Sequence, residues 1–268
     1  MPPSCLVETA QSERRGAEVG PLEFWGKSAR VIIQLIHSFF HFARLGASTP
    51  QESVPSLKRR AVELHKLCIN LLDHMQVTRS VDGAIPERGL LVTNHVGFMD
   101  IMFLSAVQPM VFVSKSDVAG WPGVGAIATG AGTLYVERRR RSDVGRANAA
   151  LNRALDAGLL VTLFPEGTSS DGAEVLPFQP SLLQAAVDSG VTVTPGHVRY
   201  TGMDGVRADD IAYFGDRDLL PCLVALLNRR RTTATLRCGA PMMPSNDRKQ
   251  LALALHTAVS VRSPEHAG

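Results

Sequence analysis

Leu90-Leu91-Val92-Thr93-Asn94-His95-Val96-Gly97-Phe98-Met99-Asp100 is the stretch whose reading decides the fold. Leu90 to Thr93 reads as a buried strand, and it runs straight into a polar Asn-His pair. A helix follows from Asp100 to Ala106. A strand that ends in chemistry and turns into a helix is the repeating unit of α/β proteins, whose sites lie at the carboxyl ends of strands.

Outward from this unit the same alternation continues. Strands are expected at residues 76–81, 110–114, 134–136, 159–164, 191–200 and 232–238. Helices are expected at 142–158, 180–190 and 218–227, with a short one within the Gly- and Ala-rich stretch 121–130. The expected fold class is therefore α/β, with a mostly parallel central sheet covered by helices on both faces. No internal repeat is present.

Two amphipathic helices precede the sheet. In residues 28–46, Gln34, His37, Ser38, His41 and Arg44 form one narrow polar stripe on a helix that is otherwise apolar. The apolar run is too short and interrupted to span a bilayer, which takes about 20 residues. Two arrangements fit. The helix lies in a membrane interface with Trp25, Lys27 and Arg30 at its start, or it packs on the protein's own core. In the second helix, 56–74, an apolar side of Leu57, Ala61, Leu64, Leu67, Cys68, Leu71 and Leu72 follows the basic start Lys58-Arg59-Arg60. That start suits an anionic surface or simply a solvated face. The expected organisation is a disordered tail at 1–24, a membrane-associating helical segment at 25–75, an α/β domain at 76–245 and a C-terminal helix and tail at 246–268.

The 268 residues, 45% of them hydrophobic, suffice for one large core. A net charge of +3 without interleaved basic and aromatic residues argues against nucleic acid as a partner. Cys5, Cys68, Cys222 and Cys238 form no CxxC pair, which suits a reducing compartment. No metal-site spacing occurs, so no metal and no cofactor are expected. Residues 1–20 lack the apolar core of a signal peptide.

Three strand ends carry candidate chemistry. Asp100, five residues after His95, can fold back on one imidazole nitrogen, fix the tautomer and leave the other nitrogen to accept a proton. A histidine satisfied by its own helix is the plainer reading of this pair alone. Asn94 and the loop amides hold the turn, and Gly97 lets a ligand approach the backbone. Glu166 follows Phe164-Pro165 and points into the crevice, with Gly167, Thr168 and Ser169 offering amides and hydroxyls. Arg138, which ends Gly132-Thr133-Leu134-Tyr135-Val136-Glu137-Arg138, suits a phosphate or carboxylate.

Asn94-His95-x4-Asp100, residues 132–138, Phe164-Pro165-Glu166-Gly167-Thr168 and the strand at 191–200 with Pro195 together resemble, in order and spacing, the four motifs of the glycerolipid acyltransferases of the lysophosphatidate type. The connector Val113–Pro122 is similar too, and the resemblance covers roughly residues 55–240. It implies His95 as general base for an acceptor hydroxyl attacking an acyl thioester, with Asp100 orienting it and nearby loop amides stabilising the oxyanion. It also implies Asn94, Arg138, Glu166, Gly167, Thr168 and Ser169 as acceptor-binding residues. The implied partners are a membrane lyso-lipid acceptor, acyl-CoA or acyl carrier protein as donor, and an anionic membrane surface on the cytoplasmic face of the inner membrane. One departure stands out: Ser169 occupies the place where phosphatidate-making members carry arginine. That is similar to the branch that acylates lyso-ornithine lipid, although Arg138 and Arg199 offer replacement cations. A non-catalytic membrane-binding protein on the same fold is the competing class.

Overall fold

A computed structural model describes residues 18–48, 53–136 and 141–261. Residues 1–17 of the tail expected at 1–24, the segment 137–140 with Arg138, and residues 262–268 lie outside them, while Pro21–Phe24 of that tail already belong to the first helix. Seven strands form one sheet: β1 (Val77–Asp82), β2 (Gly89–Thr93), β3 (Val111–Lys115), β4 (Leu134–Val136), β5 (Leu160–Leu163), β6 (Val193–Thr201) and β7 (Thr232–Cys238). Their order is β1-β7-β6-β2-β5-β3-β4. The five strands from β6 to β4 are parallel, and β7 returns antiparallel to β6 with Gly196 opposite Cys238. All five residues of β2 are buried, as befits a central strand covered on both faces.

Each face carries its own core. Helices α1 (Pro21–Ser48), α2 (Val54–His74), α3 (Phe98–Val107), α4 (Val124–Gly130) and α7 (Leu219–Asn228) cover one face; Phe42, Leu71, Phe103 and Leu226 pack there on Leu91 and Leu236. Helices α5 (Arg141–Asp156), α6 (Gln184–Ser189) and α8 (Arg248–Ser260) cover the other. Leu155, Ala185 and Leu255 pack there on Leu90, Val92 and Val161. The expected helix at 180–190 is shorter than its pattern, because residues 180–183 wind as a 3-10 turn.

The first helix starts at Pro21, well before the expected residue 28, since proline fits a first turn that needs no amide donor. Its orientation inverts the usual amphipathic arrangement. Ser28, Val31, Ser38, Phe42 and Leu45 face inward, whereas Leu22, Trp25, Ile32, Ile33, Ile36 and Phe40 are exposed. The polar stripe turns partly toward α2: Gln34 donates to Ser38, and His41 Nε2 lies 3.3 Å from Glu63. The Gly- and Ala-rich stretch also gains its reason, because a Cβ on Gly130 would sit 2.4 Å from the Phe42 carbonyl where α4 crosses α1.

Two cations expected at the surface are buried instead. Lys27 Nζ donates to the Arg229 carbonyl at 2.8 Å, at the C-terminus of α7. Burial lowers its pKa, opposed by Glu23. Arg60 is fully buried, and it donates to Leu45 O at 2.9 Å and to Thr129 O and Gly130 O at 3.2 and 3.1 Å. Those carbonyls close α1 and α4, where helix dipoles favour positive charge. Cys68, Cys222 and Cys238 are buried free thiols, and burial pushes Cys68 up to about 12.

Arg60→Met keeps the bulk but strips three carbonyls of their donor. We expect a loss of about 3 kcal/mol in unfolding free energy by urea titration. A loss under about 1 kcal/mol would mean that Arg60 is not what ties α1 and α4 to α2.

Candidate active site

The turn after β2 places His95 at the carboxyl end of the central strand, and α3 starts three residues later. Asp100, in the first turn of α3, is fully buried. Its Oδ2 lies 2.7 Å from His95 Nδ1 and accepts from the amides of Val96 at 2.6 Å and Gly97 at 3.0 Å. Its Oδ1 accepts from the Tyr200 hydroxyl at 2.7 Å. A carboxylate ringed by donors only accepts, so Nδ1 carries the imidazole proton and Nε2 keeps its lone pair. No described residue bonds Nε2. The ring stacks on Phe164, centroids 4.1 Å apart, which holds its plane.

Tyr200 is the residue that sequence reasoning missed. It lies on β6, which pairs with β2, so its hydroxyl comes over the N-terminal turn of α3. Burial and the Asp100 charge both raise its pKa well above the ordinary value. It is therefore a neutral donor throughout the physiological range. The period-two alternation of Val198-Arg199-Tyr200 was the available signal, since it puts Tyr200 on the same face as the core residue Val198.

Glu166 does not point into an open crevice as expected. Pro165 at the second position of a turn, closed by Gly167 N to Phe164 O at 3.2 Å, folds its side chain inward. Glu166 is 3% exposed and accepts from His95 N at 2.9 Å, while its Oε2 is buried without a hydrogen-bond partner. Burial raises its pKa to about 7 against the pull of the His95 and Leu176 amides, and Asp100 adds to the rise. The same loop is tied again by Ser170 N to His95 O at 2.8 Å and by Gln179 Nε2 to Glu166 O at 3.1 Å. The Glu-Gly-Thr motif thus clamps the histidine turn from the neighbouring strand.

Other expected roles are redistributed. Asn94 is buried, donating to Val198 O and accepting from Val198 N, so both polar ends of its side chain join β2 to β6. Gly97 makes room for the chain itself: at φ +148 a Cβ would lie 2.9 Å from Tyr213. The amides of residues 95–97 are all occupied by Glu166 and Asp100, so none of them serves an oxyanion. Thr168 is exposed and Ser169 and Gly167 are half-buried at the mouth of the site. His197 lies outside it, with Nδ1 3.0 Å from the Val259 carbonyl of α8. A cavity of about 530 Å³ lies at the opposite end of the sheet, between α2 and the starts of β3 and β5, and no motif residue lines it.

The fold and the site define an α/β protein with a histidine–carboxylate pair at the ends of its parallel strands. The chain belongs to the acyltransferase family, whose model, described as Acyltransferase, matches residues 60–199. It is an acyltransferase enzyme. It is 33% identical over 201 residues to a 1-acyl-sn-glycerol-3-phosphate acyltransferase of Neisseria meningitidis serogroup B, covering 73% of this chain and 77% of that one. It is 35% identical over 215 residues to a lyso-ornithine lipid O-acyltransferase of Pseudomonas aeruginosa, covering 78% and 81%. The crystal structure of the 1-acyl-sn-glycerophosphate acyltransferase PlsC from Thermotoga maritima shares the fold, with a TM-score of 0.61 at 18% identity over 89% of this chain and 93% of that one.

Two substitutions probe this geometry. Tyr200→Phe leaves Asp Oδ1 without its donor, and kcat is expected to fall about tenfold or more, since a hydrogen bond to a charged group is worth about 1.5–3 kcal/mol. An unchanged kcat would remove Tyr200 from the site. Glu166 holds a proton in the folded protein that the unfolded chain releases near pH 4.5, so its contribution to stability fades as pH rises toward about 7. The melting temperature of Glu166→Gln relative to wild type should therefore climb between about pH 5 and pH 8. A difference independent of pH would contradict the raised pKa.

Proposed function

We propose that this acyltransferase esterifies the free hydroxyl of a single-chain lipid, and that it works at a membrane surface. The observation that carries the reading is the unoccupied Nε2 of a histidine whose other nitrogen is fixed on a buried carboxylate. His95 Nε2 takes the acceptor's hydroxyl proton as that oxygen attacks the thioester carbonyl of an acyl-CoA or acyl carrier protein. The thiolate leaves with the ester formed, and the histidine returns the proton to it. Asp100 stabilises the imidazolium between those steps. General-base assistance of this kind contributes about 10²–10⁴ in rate.

The acceptor is a lyso-lipid of the 1-acylglycerol-3-phosphate type, the substrate named for the Neisseria relative. A lyso-ornithine lipid is the second reading. Ser169, in place of the family's phosphate-binding arginine, and the Pseudomonas relative favour it. Arg138 remains a proposed anion ligand, with Thr168 and Ser169 at the mouth.

The membrane reading rests on α1. Leu22, Trp25, Ile32, Ile33, Ile36 and Phe40 follow one another at helical spacing and are exposed. Apolar patches of this kind mark interaction sites. Among the described residues no helix is long and apolar enough to cross a membrane. We therefore read α1 as lying in the interface, on the cytoplasmic face where thioester donors are made.

Purified protein given labelled acyl-CoA or acyl carrier protein, with lysophosphatidate and lyso-ornithine lipid as acceptors, tests the reaction. We expect ester formation that His95→Ala lowers by about 10³; product insensitive to His95→Ala would overturn the mechanism. Ile33→Asp, Ile36→Asp and Phe40→Asp together test the surface. Their vesicle partition should fall by about tenfold or more, and unchanged partition would sink the interfacial role of α1.

A further inference from the structure

The last helix stands behind the Glu166 clamp. On α8, Leu251, Ala252, Leu255 and Val259 are buried in the core of their face of the sheet. The Val259 carbonyl meets His197 of β6, which seats the helix on the strand beside β2. His256, half-buried next to Leu255, reaches the loop that follows Glu166. Its Nε2 lies 3.1 Å from the Val175 carbonyl, and its ring meets Phe178 edge to face with centroids 5.3 Å apart. A carbonyl only accepts, so Nε2 carries a proton and donates.

What His256 grips is the segment that holds Glu166. Gln179, next to Phe178, donates from Nε2 to the Glu166 carbonyl at 3.1 Å and from its backbone amide to the Pro165 carbonyl at 2.8 Å. The Leu176 amide faces the Glu166 carboxylate and draws against its protonation. That amide and the carbonyl held by His256 belong to one peptide group, between Val175 and Leu176. Among the described residues no peptide bond is cis, and a trans peptide points its C=O and N–H in opposite directions. A donor on the carbonyl therefore fixes the plane and polarises the N–H on its far side. Pro177 narrows the backbone angles of Leu176, so this plane has few other settings.

Resting on His95 as the base proposed above, we propose that His256 is a positioning residue for the reaction: through the Val175–Leu176 peptide and Phe178 it holds the segment that keeps Glu166 on the His95 amide. The path runs from α8 through residues 175–179 to Glu166, whose Oε1 accepts from His95 N at 2.9 Å. Because Oε2 is buried without a hydrogen-bond partner, the carboxylate has little else to hold it in place. Loosening at α8 is thus passed to the turn that carries the imidazole, where small misplacements of reacting groups cost rate.

Two amide signals read this without catalysis. Val175-Leu176 is the only Val-Leu pair in the sequence and Asn94-His95 the only Asn-His pair. Carbonyl-labelled valine with nitrogen-labelled leucine therefore gives one NMR signal for Leu176, and asparagine with histidine gives one for His95. His256→Leu keeps an apolar contact for Phe178 and removes the donor; His256→Gln places an amide donor where Nε2 stands. In full-length His256→Leu the Leu176 amide proton should move upfield, as a weaker donor does, and the His95 amide signal should shift with it. With labelled acyl-CoA, and lysophosphatidate or lyso-ornithine lipid as acceptor, kcat should fall about threefold to tenfold with the acceptor KM unchanged. His256→Gln should restore most of both. Unmoved signals in His256→Leu would overturn the link, and moved signals with kcat kept would overturn the positioning role. An equal loss of kcat in the Leu and Gln variants would reduce His256 to packing. Signals that move and recover as expected, in a protein whose ester formation does not depend on His95, would uphold the tie between α8 and the turn and remove His95 as the base instead.

Discussion

The carboxylate of Asp100 is the constraint on which the rest of the site depends. It is fully buried and survives there because four donors converge on it: three on Oδ2 and one on Oδ1. Three of the donors come from the turn after β2, two amides and the imidazole, and the fourth is a phenol from the adjacent strand. A buried carboxylate without such partners is strongly unfavourable. The sheet order that places β6 beside β2 and the glycine that lets Tyr213 press on the turn are therefore parts of what holds the histidine–carboxylate pair in place. Glu166 completes it from the other side by holding the His95 amide from the end of β5.

A second constraint acts at the surface. A helix with most of its circumference apolar has no fixed orientation on a protein unless something specifies it. Here buried cations do so. Lys27 is seated on the C-terminus of α7, and Arg60 joins the ends of α1 and α4. With these contacts made, the isoleucines of α1 have only the outside to face. Part of the polar stripe is turned inward: Ser38 is buried and His41 reaches Glu63 of α2, while His37 and Arg44 stay exposed. The same cations that look like membrane anchors in the sequence are buried instead, and they turn the apolar face of α1 outward.

Much of this was legible beforehand, for definite reasons. The apolar run of β2 ending in Asn94-His95, and the spacing to Asp100, are local and survive folding unchanged. The mostly parallel sheet followed from strands alternating with helices. What sequence could not supply was adjacency across the sheet. Tyr200 reaches Asp100, and Asn94 engages Val198, only because β6 neighbours β2. Glu166 looked like an exposed ligand because a carboxylate at a strand end usually is; its burial depends on the turn at Pro165 and the loop that closes over it. Arg60 and Lys27 read as surface charge because the carbonyls that hold them come from helices distant in the chain. The antiparallel return of β7 leaves no mark in its own residues.

The central claim is that the fold sets the proton on one nitrogen of His95 and keeps the other free. Nitrogen NMR of the imidazole rings in isotope-labelled protein, with the His95 signals assigned by their loss in His95→Gln, tests it most directly. The account predicts the neutral ring protonated at Nδ1, with Nε2 in the range of an unprotonated acceptor. A ring protonated at Nε2 would contradict it, because no donor role would then be left for Nδ1 and no lone pair would face the acceptor.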